Sequence, residues 1–251
     1  MTRQQNLENR SWKQTFNLSV FHVDHRGLAN FYSYFNLMQE AAMQHAHHNQ
    51  FGLDKMRSEN KIWVVTRFEL QLSDQLQNSM SWGEDIEIET WSRGMIGPTA
   101  HREFSLYKFK DGYEKELIGK ACSVWVPIDL HHRTVTSINP DDLSQVSIKD
   151  KTHDIKPRKI EYDEKHFITI NRVVPKPSDI DLNKHVNNAK YVQWLYDSID
   201  INEHNHMPRS GFAINYISEV NLVDSVQISR KNHIFAGVKE NGKLAFTAEF
   251  F

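Results

Sequence analysis

Asp24-His25-Arg26-Gly27-Leu28-Ala29-Asn30 can be laid over Asp181-Leu182-Asn183-Lys184-His185-Val186-Asn187. Around each stretch the pattern is the same: a strand-like segment, an Asp-bearing loop, a helical run, then antiparallel strands. Weak self-similarity of this kind points to a duplicated fold. One helix and one long antiparallel sheet per half imply two α+β units, each helix covered by its own sheet. In the overlay Arg26 falls opposite Asn183 and Leu28 opposite His185. The first half therefore keeps the shape and has lost the polar constellation.

The second stretch carries the chemistry. Tyr191, Val192, Leu195 and Ile199 follow it at helical spacing, which makes it a loop-to-helix junction. Asn187 or Asn188 is a natural N-cap. Asp181, Asn183 and His185 then feed a helix N-terminus, where free N–H groups and the dipole favour developing negative charge. A carboxylate, an amide and an imidazole there suit attack on a carbonyl. Asp and Asn also favour turns and caps for local reasons, so the stretch alone supports a structural reading as well.

The chain has 251 residues, room for one large domain or two ordinary ones. With 14 Phe, 8 Tyr and 6 Trp, a sizeable core is available. A net charge of −2 gives no reason to expect nucleic-acid binding. The single cysteine, Cys122, rules out an intramolecular disulfide or multi-Cys zinc site and fits a reducing cytoplasm. The polar N-terminus does not read as a secretory signal, and no run is long and apolar enough for a membrane span.

Strands are expected over 12–22, 61–73, 84–93, 99–110, 115–128, 165–173, 212–222, 224–236 and 243–251. Asp111-Gly112 and Asn241-Gly242 are hairpin signals. Helices are expected over 29–48 and 188–200, with Phe31, Tyr34, Phe35, Met38, Ala41, Ala42 and His45 on one face of the first. The polar stretch 139–160 reads as a linker between domains 1–138 and 161–251.

Together with Asp181–Tyr191, four other motifs carry a resemblance over nearly the whole chain. They are Trp63-Val64-Val65-Thr66-Arg67, Trp82-Gly83-Glu84-Asp85 with Thr90-Trp91, Ala121-Cys122-Ser123-Val124-Trp125-Val126, and Tyr216-Ile217-Ser218-Glu219. Glu219 stands 34 residues after His185. The chain resembles the acyl-acyl carrier protein (acyl-ACP) thioesterases of plant and bacterial type, built from two hotdog domains in tandem. The resemblance implies a hydrolase of fatty acyl-ACP, of the oleoyl-ACP hydrolase kind, that releases free fatty acid and ends fatty acid synthesis. The family's catalytic Asp, Asn, His and Glu match Asp181, Asn183, His185 and Glu219. Plant members often carry a Cys directly after that Glu; here the position is Val220. Cys122 reads as a core residue, since buried Cys is usually inert.

On this reading Glu219 is the candidate base for water, and His185 and Asn183 position the water and the thioester. Asp181 orients His185 or Asn183, and N–H groups from Val186 to Asn188 receive the oxyanion. The division of labour between His185 and Glu219 stays open, as does carboxylate attack through an acyl-enzyme anhydride. The resemblance also implies an acyl tunnel lined mostly by the first half, with Phe31, Phe35, Met38 and Ala42 as candidates; ordinary core packing is the competing reading. His45, His47 and His48 lack any established metal-ligand pattern, so neither metal nor cofactor is expected. The expected partner is acyl carrier protein with a phosphopantetheine-linked acyl chain, which Arg158-Lys159, Lys184 and Lys190 could meet electrostatically; a homodimer is left open. The alternatives are an acyl-CoA thioesterase of the same fold and a non-catalytic acyl-chain binding module.

Overall fold

The computed structural model describes residues 10–73, 80–110 and 114–251. Two compact units divide at Pro157–Arg158. In the first, β1 (Ser11–Asn17), β2 (Lys61–Leu72), β3 (Asp85–Ile96), β4 (Thr99–Lys110) and β5 (Glu114–Asp129) form an antiparallel sheet in the order β1-β3-β4-β5-β2. Its long helix, α1 (Phe31–His48), packs on β3 and β1. The Asn30 side chain accepts the Ser33 N–H at 2.9 Å and starts the helix. Phe31, Tyr34, Phe35, Met38, Ala41, Ala42 and His45 are all buried, as their spacing predicts. The Phe35 ring lies 4.5 Å from Phe68, which stacks on Phe104 at 5.4 Å, so helix and sheet share one apolar layer. A short helix, α2 (Leu53–Ser58), leads into β2.

The segment expected as a linker, 139–160, is built into the units for most of its length. It contains α3 (Pro140–Gln145), and Ser147 bridges Ser92 of β3. Trp91 Nε1 donates to Lys151 O at 2.8 Å, and the Lys151 ammonium sits 4.0 Å from the Trp91 ring centre. Glu103 explains why this polar stretch is held down. Its side chain is fully buried, and it accepts from Arg93, from Thr152 Oγ1 at 2.9 Å and from the His153 N–H at 2.6 Å. A buried carboxylate needs such partners, and a string of charged and hydroxyl residues supplies them. Past the division, Asn215 accepts the Ile160 N–H and donates to Arg158 O, tying 158–160 to the second unit.

The second unit contains β6 (Ile168–Val173), β7 (Gly211–Tyr216), β8 (Val226–Lys231), β9 (Ile234–Lys239) and β10 (Leu244–Phe250), in the order β7-β10-β9-β8-β6. Its helix, α4 (Asn188–Asp197), is capped by Asn187, whose side chain accepts the Ala189 N–H. Tyr191 on α4 packs on Phe246 of β10 at 5.2 Å and on Tyr216 of β7 at 5.5 Å.

Several expected boundaries change; β3 runs three residues further, to Ile96, and β6 starts three residues later, at Ile168. The first strand stops at Asn17, where Val20–His22 form a 3-10 turn. The segment 224–236 is two strands, because Asn232 adopts φ 54° and turns the chain after Lys231. The strand expected over 212–222 ends at Tyr216, which places Glu219 on a loop. Helix α4 stops at Asp197, three residues short of the expected end. Asn241-Gly242 forms its turn with Gly242 at φ 79° between β9 and β10; Asp111-Gly112 lies outside the described residues.

Gly237 of β9 lies under Phe246, and a Cβ there would fall inside that ring's van der Waals envelope. Phe246 is fully buried against Tyr191 and cannot swing out to solvent. Gly237→Ala is expected to cost about 1–3 kcal/mol by overpacking, read from the shift of the urea midpoint. An unchanged midpoint would show that the β9–β10 layer has slack.

Candidate active site

The site begins with a turn. Asp181 Oδ1 accepts the N–H of Asn183 at 2.8 Å and of His185 at 3.3 Å. The Asp181 N–H donates to His185 O at 2.8 Å, and the Lys184 N–H to Asp181 O at 3.0 Å. Lys184 stands at φ 65°, a left-handed conformation that the surrounding bonds hold in place. Asp181 thus holds the backbone of both Asn183 and His185 through its carboxylate. The overlaid first-half stretch folds identically: Asp24 Oδ1 accepts from Arg26 and Leu28, the Asp24 N–H donates to Leu28 O, and Gly27 takes φ 76°. There the second carboxylate oxygen is taken up by Arg26, at 2.5 Å, and Leu28 stands where His185 does.

The turn brings His185 to Glu219. His185 Nε2 lies 3.4 Å from Glu219 Oε2, with the two side chains 22% and 33% exposed, so water reaches both. The loop after β7 is clasped to the turn by the Val186 N–H, which donates to Val220 O at 3.0 Å. Ile217 and Ser218 both donate N–H to Ala245 O on the β10 side. Tyr191, on α4, has its phenol pushed above the ordinary range, first by burial and also by Glu219 and Asp181 nearby. Tyr216 donates its hydroxyl to Asn188 O at 3.0 Å.

Two of the three expected oxyanion donors are already engaged. The Val186 N–H is used as above, and the Asn187 N–H donates to Asp179 O at 2.8 Å. Asn188 is the first residue of α4, and an N–H at that position has no partner in the helix ladder. Of the three expected donors it is the one these two bonds do not engage. Two of the expected carrier-facing cations also have acidic neighbours. Arg158 pairs with Glu249 at 3.2 Å, and Lys190 lies 3.7 Å from Asp179; Lys159 and Lys184 are exposed.

The remaining expected residues sit in the first unit. Phe31, Phe35, Met38 and Ala42 are buried on α1. His45 is buried, with Nδ1 2.9 Å from Arg102 Nη1; burial and then Arg102 hold its pKa down at about 3. His48 packs on the Trp12 ring at 5.7 Å. Cys122 is buried on β5, between Glu69 and Glu103 in register, and burial followed by Glu103 pushes its thiol up to about 12. Sequence reasoning passed over Lys239 and Asp224, which grip the Glu219 loop. Neither belongs to a motif; Asp224 lies in the turn with Asn221 that follows Glu219, and the β8–β9–β10 pairing carries Lys239 there.

The acyl-ACP thioesterase N-terminal domain model matches residues 9–146, and the acyl-ACP thioesterase C-terminal domain model matches residues 160–248. The chain is 27% identical over 208 residues to oleoyl-acyl carrier protein thioesterase 1, chloroplastic, of Arabidopsis thaliana, covering 75% of this chain and 55% of that protein. It is 28% identical over 232 residues to a dodecanoyl-[acyl-carrier-protein] hydrolase, chloroplastic, of Cinnamomum camphora, covering 86% and 57%. The chain thus spans about half the length of the curated relatives it matches. Among solved structures, an acyl-ACP thioesterase from Bacteroides thetaiotaomicron superposes with TM-score 0.82 at 25% identity, covering 97% and 98% of the two chains. The 12:0-ACP thioesterase from Umbellularia californica superposes with TM-score 0.79 at 22% identity, covering 96% of each chain, and shares the fold. The two units are tandem hotdog domains.

Cys122 is expected to resist thiol reagents in the native protein. With its pKa at about 12 against about 8.5 when unfolded, labelling at pH 8 should be slower by on the order of 10³-fold than in denaturant. Fast native labelling would show that the β5 thiol is neither buried nor inert.

Proposed function

The chain belongs to the acyl-ACP thioesterase family, and we propose on that footing that it hydrolyses the thioester of fatty acyl-ACP, releasing free fatty acid. The observation that supports this most is the approach of His185 Nε2 to Glu219 Oε2, 3.4 Å apart beside the start of α4. Asp181, Asn183, His185 and Glu219 are the catalytic set of this reading. Glu219 takes a proton from water as the water oxygen attacks the thioester carbon. His185 holds that water and the carboxylate in line, and Asn183 sits on the same Asp181 turn. The oxyanion meets the N–H of Asn188 at the positive end of α4. Collapse breaks the C–S bond and expels the phosphopantetheine thiolate, which takes the proton that Glu219 accepted and so restores the base. No thiol nucleophile enters, in keeping with Val220 after Glu219 and with the buried Cys122.

The acyl chain is assigned to the first domain and to Phe31, Phe35, Met38 and Ala42 of α1. Acyl carrier protein is the proposed partner, with exposed Lys184 and Lys159 as the cations proposed to meet it. Among the described residues no helix is long and apolar enough to cross a membrane. A cytoplasmic setting is proposed from the one free, buried cysteine; the named plant relatives are chloroplastic.

Glu219→Gln is nearly isosteric and cannot take a proton from water. In a steady-state assay on acyl-ACP it is expected to lower kcat by about 10²–10⁴-fold with little change in KM. His185→Ala and Asn183→Ala should be similarly severe, and the losses should not add. Near-native turnover by folded Glu219→Gln would remove Glu219 as base. A wild-type preference for acyl-CoA over acyl-ACP would transfer the reading to that substrate. No turnover of either would leave an acyl-chain binding module.

Substitutions that enlarge or shrink Phe35, Met38 and Ala42 should shift the chain length of the released fatty acids, since a methylene in a pocket is worth about 1–3 kcal/mol. An unchanged product profile in a bacterial host expressing each variant would refute the α1 assignment.

A further inference from the structure

Lys239 ends β9, 20 residues after Glu219 and far from the Asp181 turn in sequence. Its side chain is 10% exposed. The ammonium donates to the carbonyl of Glu219 at 2.8 Å and to Asp224 Oδ2 at 3.0 Å. Asp224 Oδ2 also accepts the Asn221 N–H at 2.8 Å, while the Asp224 N–H donates to Asn221 O at 3.0 Å. One carboxylate thus orients the ammonium and closes the turn that follows Glu219. Burial alone would raise the Asp224 carboxyl, but the Asn221 N–H and Lys239 outweigh it and hold it below the usual range.

The base of Lys239 is fixed as well. Its N–H donates to Lys243 O at 2.9 Å, and the Glu240 N–H donates to Ser225 O at 3.2 Å. The Glu219 loop is therefore held on both sides and at Glu219 itself: Ala245 O and Leu244 O take Ile217 and Ser218 before it, the Val186 N–H and Tyr191 take Val220 after it, and Lys239 takes the Glu219 carbonyl. Lys239 is the one of these that binds the carbonyl of Glu219, the residue whose side chain meets His185. A buried ammonium is costly unless it is fully engaged, and its hydrogen bond to a carbonyl is stronger than one from a neutral donor.

We propose that Lys239 is a positioning residue for thioester hydrolysis: its ammonium, oriented by Asp224, holds the Glu219 carbonyl and so keeps the Glu219 carboxylate against His185. This rests on the reading of Glu219 and His185 as the reacting pair.

The test uses the full chain and the acyl-ACP that the wild type turns over fastest. Lys239→Met should lower kcat by about 10–100-fold, the scale of an ångström-sized misplacement, with KM within about threefold. Lys239→Arg, which keeps a cationic donor, should recover most of the loss. In a Glu219→Gln background Lys239→Met should add little, because it acts through Glu219. Wild-type kcat in folded Lys239→Met overturns the proposal, and so does a loss that adds in full to that of Glu219→Gln. Should Lys239→Met not fold, Asp224→Asn carries the same comparison with the same two outcomes. If the wild type cleaves neither acyl-ACP nor acyl-CoA, the functional reading fails by itself. Lys239 is then judged from crystal structures of wild type and Lys239→Met. A Glu219 carboxylate that leaves His185 in the variant supports the proposal, and one that stays overturns it.

Discussion

One carboxylate oxygen accepting two backbone N–H groups organises the site. Asp181 Oδ1 closes the loop onto Asn183 and His185, and every later placement depends on that closure. It fixes the direction in which His185 leaves the chain. It also delivers Val186 to the Glu219 loop and Asn187 to the cap of α4. An ionised acceptor makes stronger bonds to N–H than a neutral one, and it can serve two donors at once. That strength is what keeps Lys184 in a left-handed conformation, where a side chain is disfavoured. In the first unit Gly27 occupies the equivalent place at no steric cost.

The twin turns separate scaffold from chemistry. Asp24 and Asp181 make the same backbone bonds, and Asn30 and Asn187 cap the helices that follow. What differs is what hangs on the frame. Arg26 folds back onto Asp24 and neutralises it, whereas Asn183 carries no charge to do so. Leu28 offers nothing that can hold a proton, whereas His185 meets a carboxylate. The shared turn is thus a structural device that either unit needs to enter its helix. The polar set is an addition to one copy.

Two buried ions are handled in the same manner: each is met by more than one donor or acceptor. Glu103 takes Arg93, Thr152 and the His153 N–H, and in doing so fastens 147–153 over β3 and β4. Lys239 is met by a carbonyl and a carboxylate, and in doing so fastens the Glu219 loop. Breaking such a group from one side leaves an uncompensated charge, so these contacts fix geometry more than they add stability.

The sequence by itself determined the duplication, the two helices with their buried faces, most strands, and the local cluster Asp181, Asn183 and His185. Periodicity and side chains a few residues apart decide those features, and both are read along one dimension. It also marked the turn at Asn241-Gly242, where backbone sterics select the residue. Tertiary structure decided the rest. Alternation ran on past Tyr216 and made Glu219 look like a strand residue, although the chain leaves the sheet there to meet Val186. Lysines and hydroxyls at 147–159 looked solvated because nothing local reveals a buried Glu103 on another strand. Lys239 carried no signal at all, since its partners lie 20 and 15 residues away and only strand pairing brings them within reach. Hydrogen bonds act over about 3 Å of space whatever the distance along the chain. The residues that meet by folding, rather than by spacing, are therefore the ones that only the folded chain discloses.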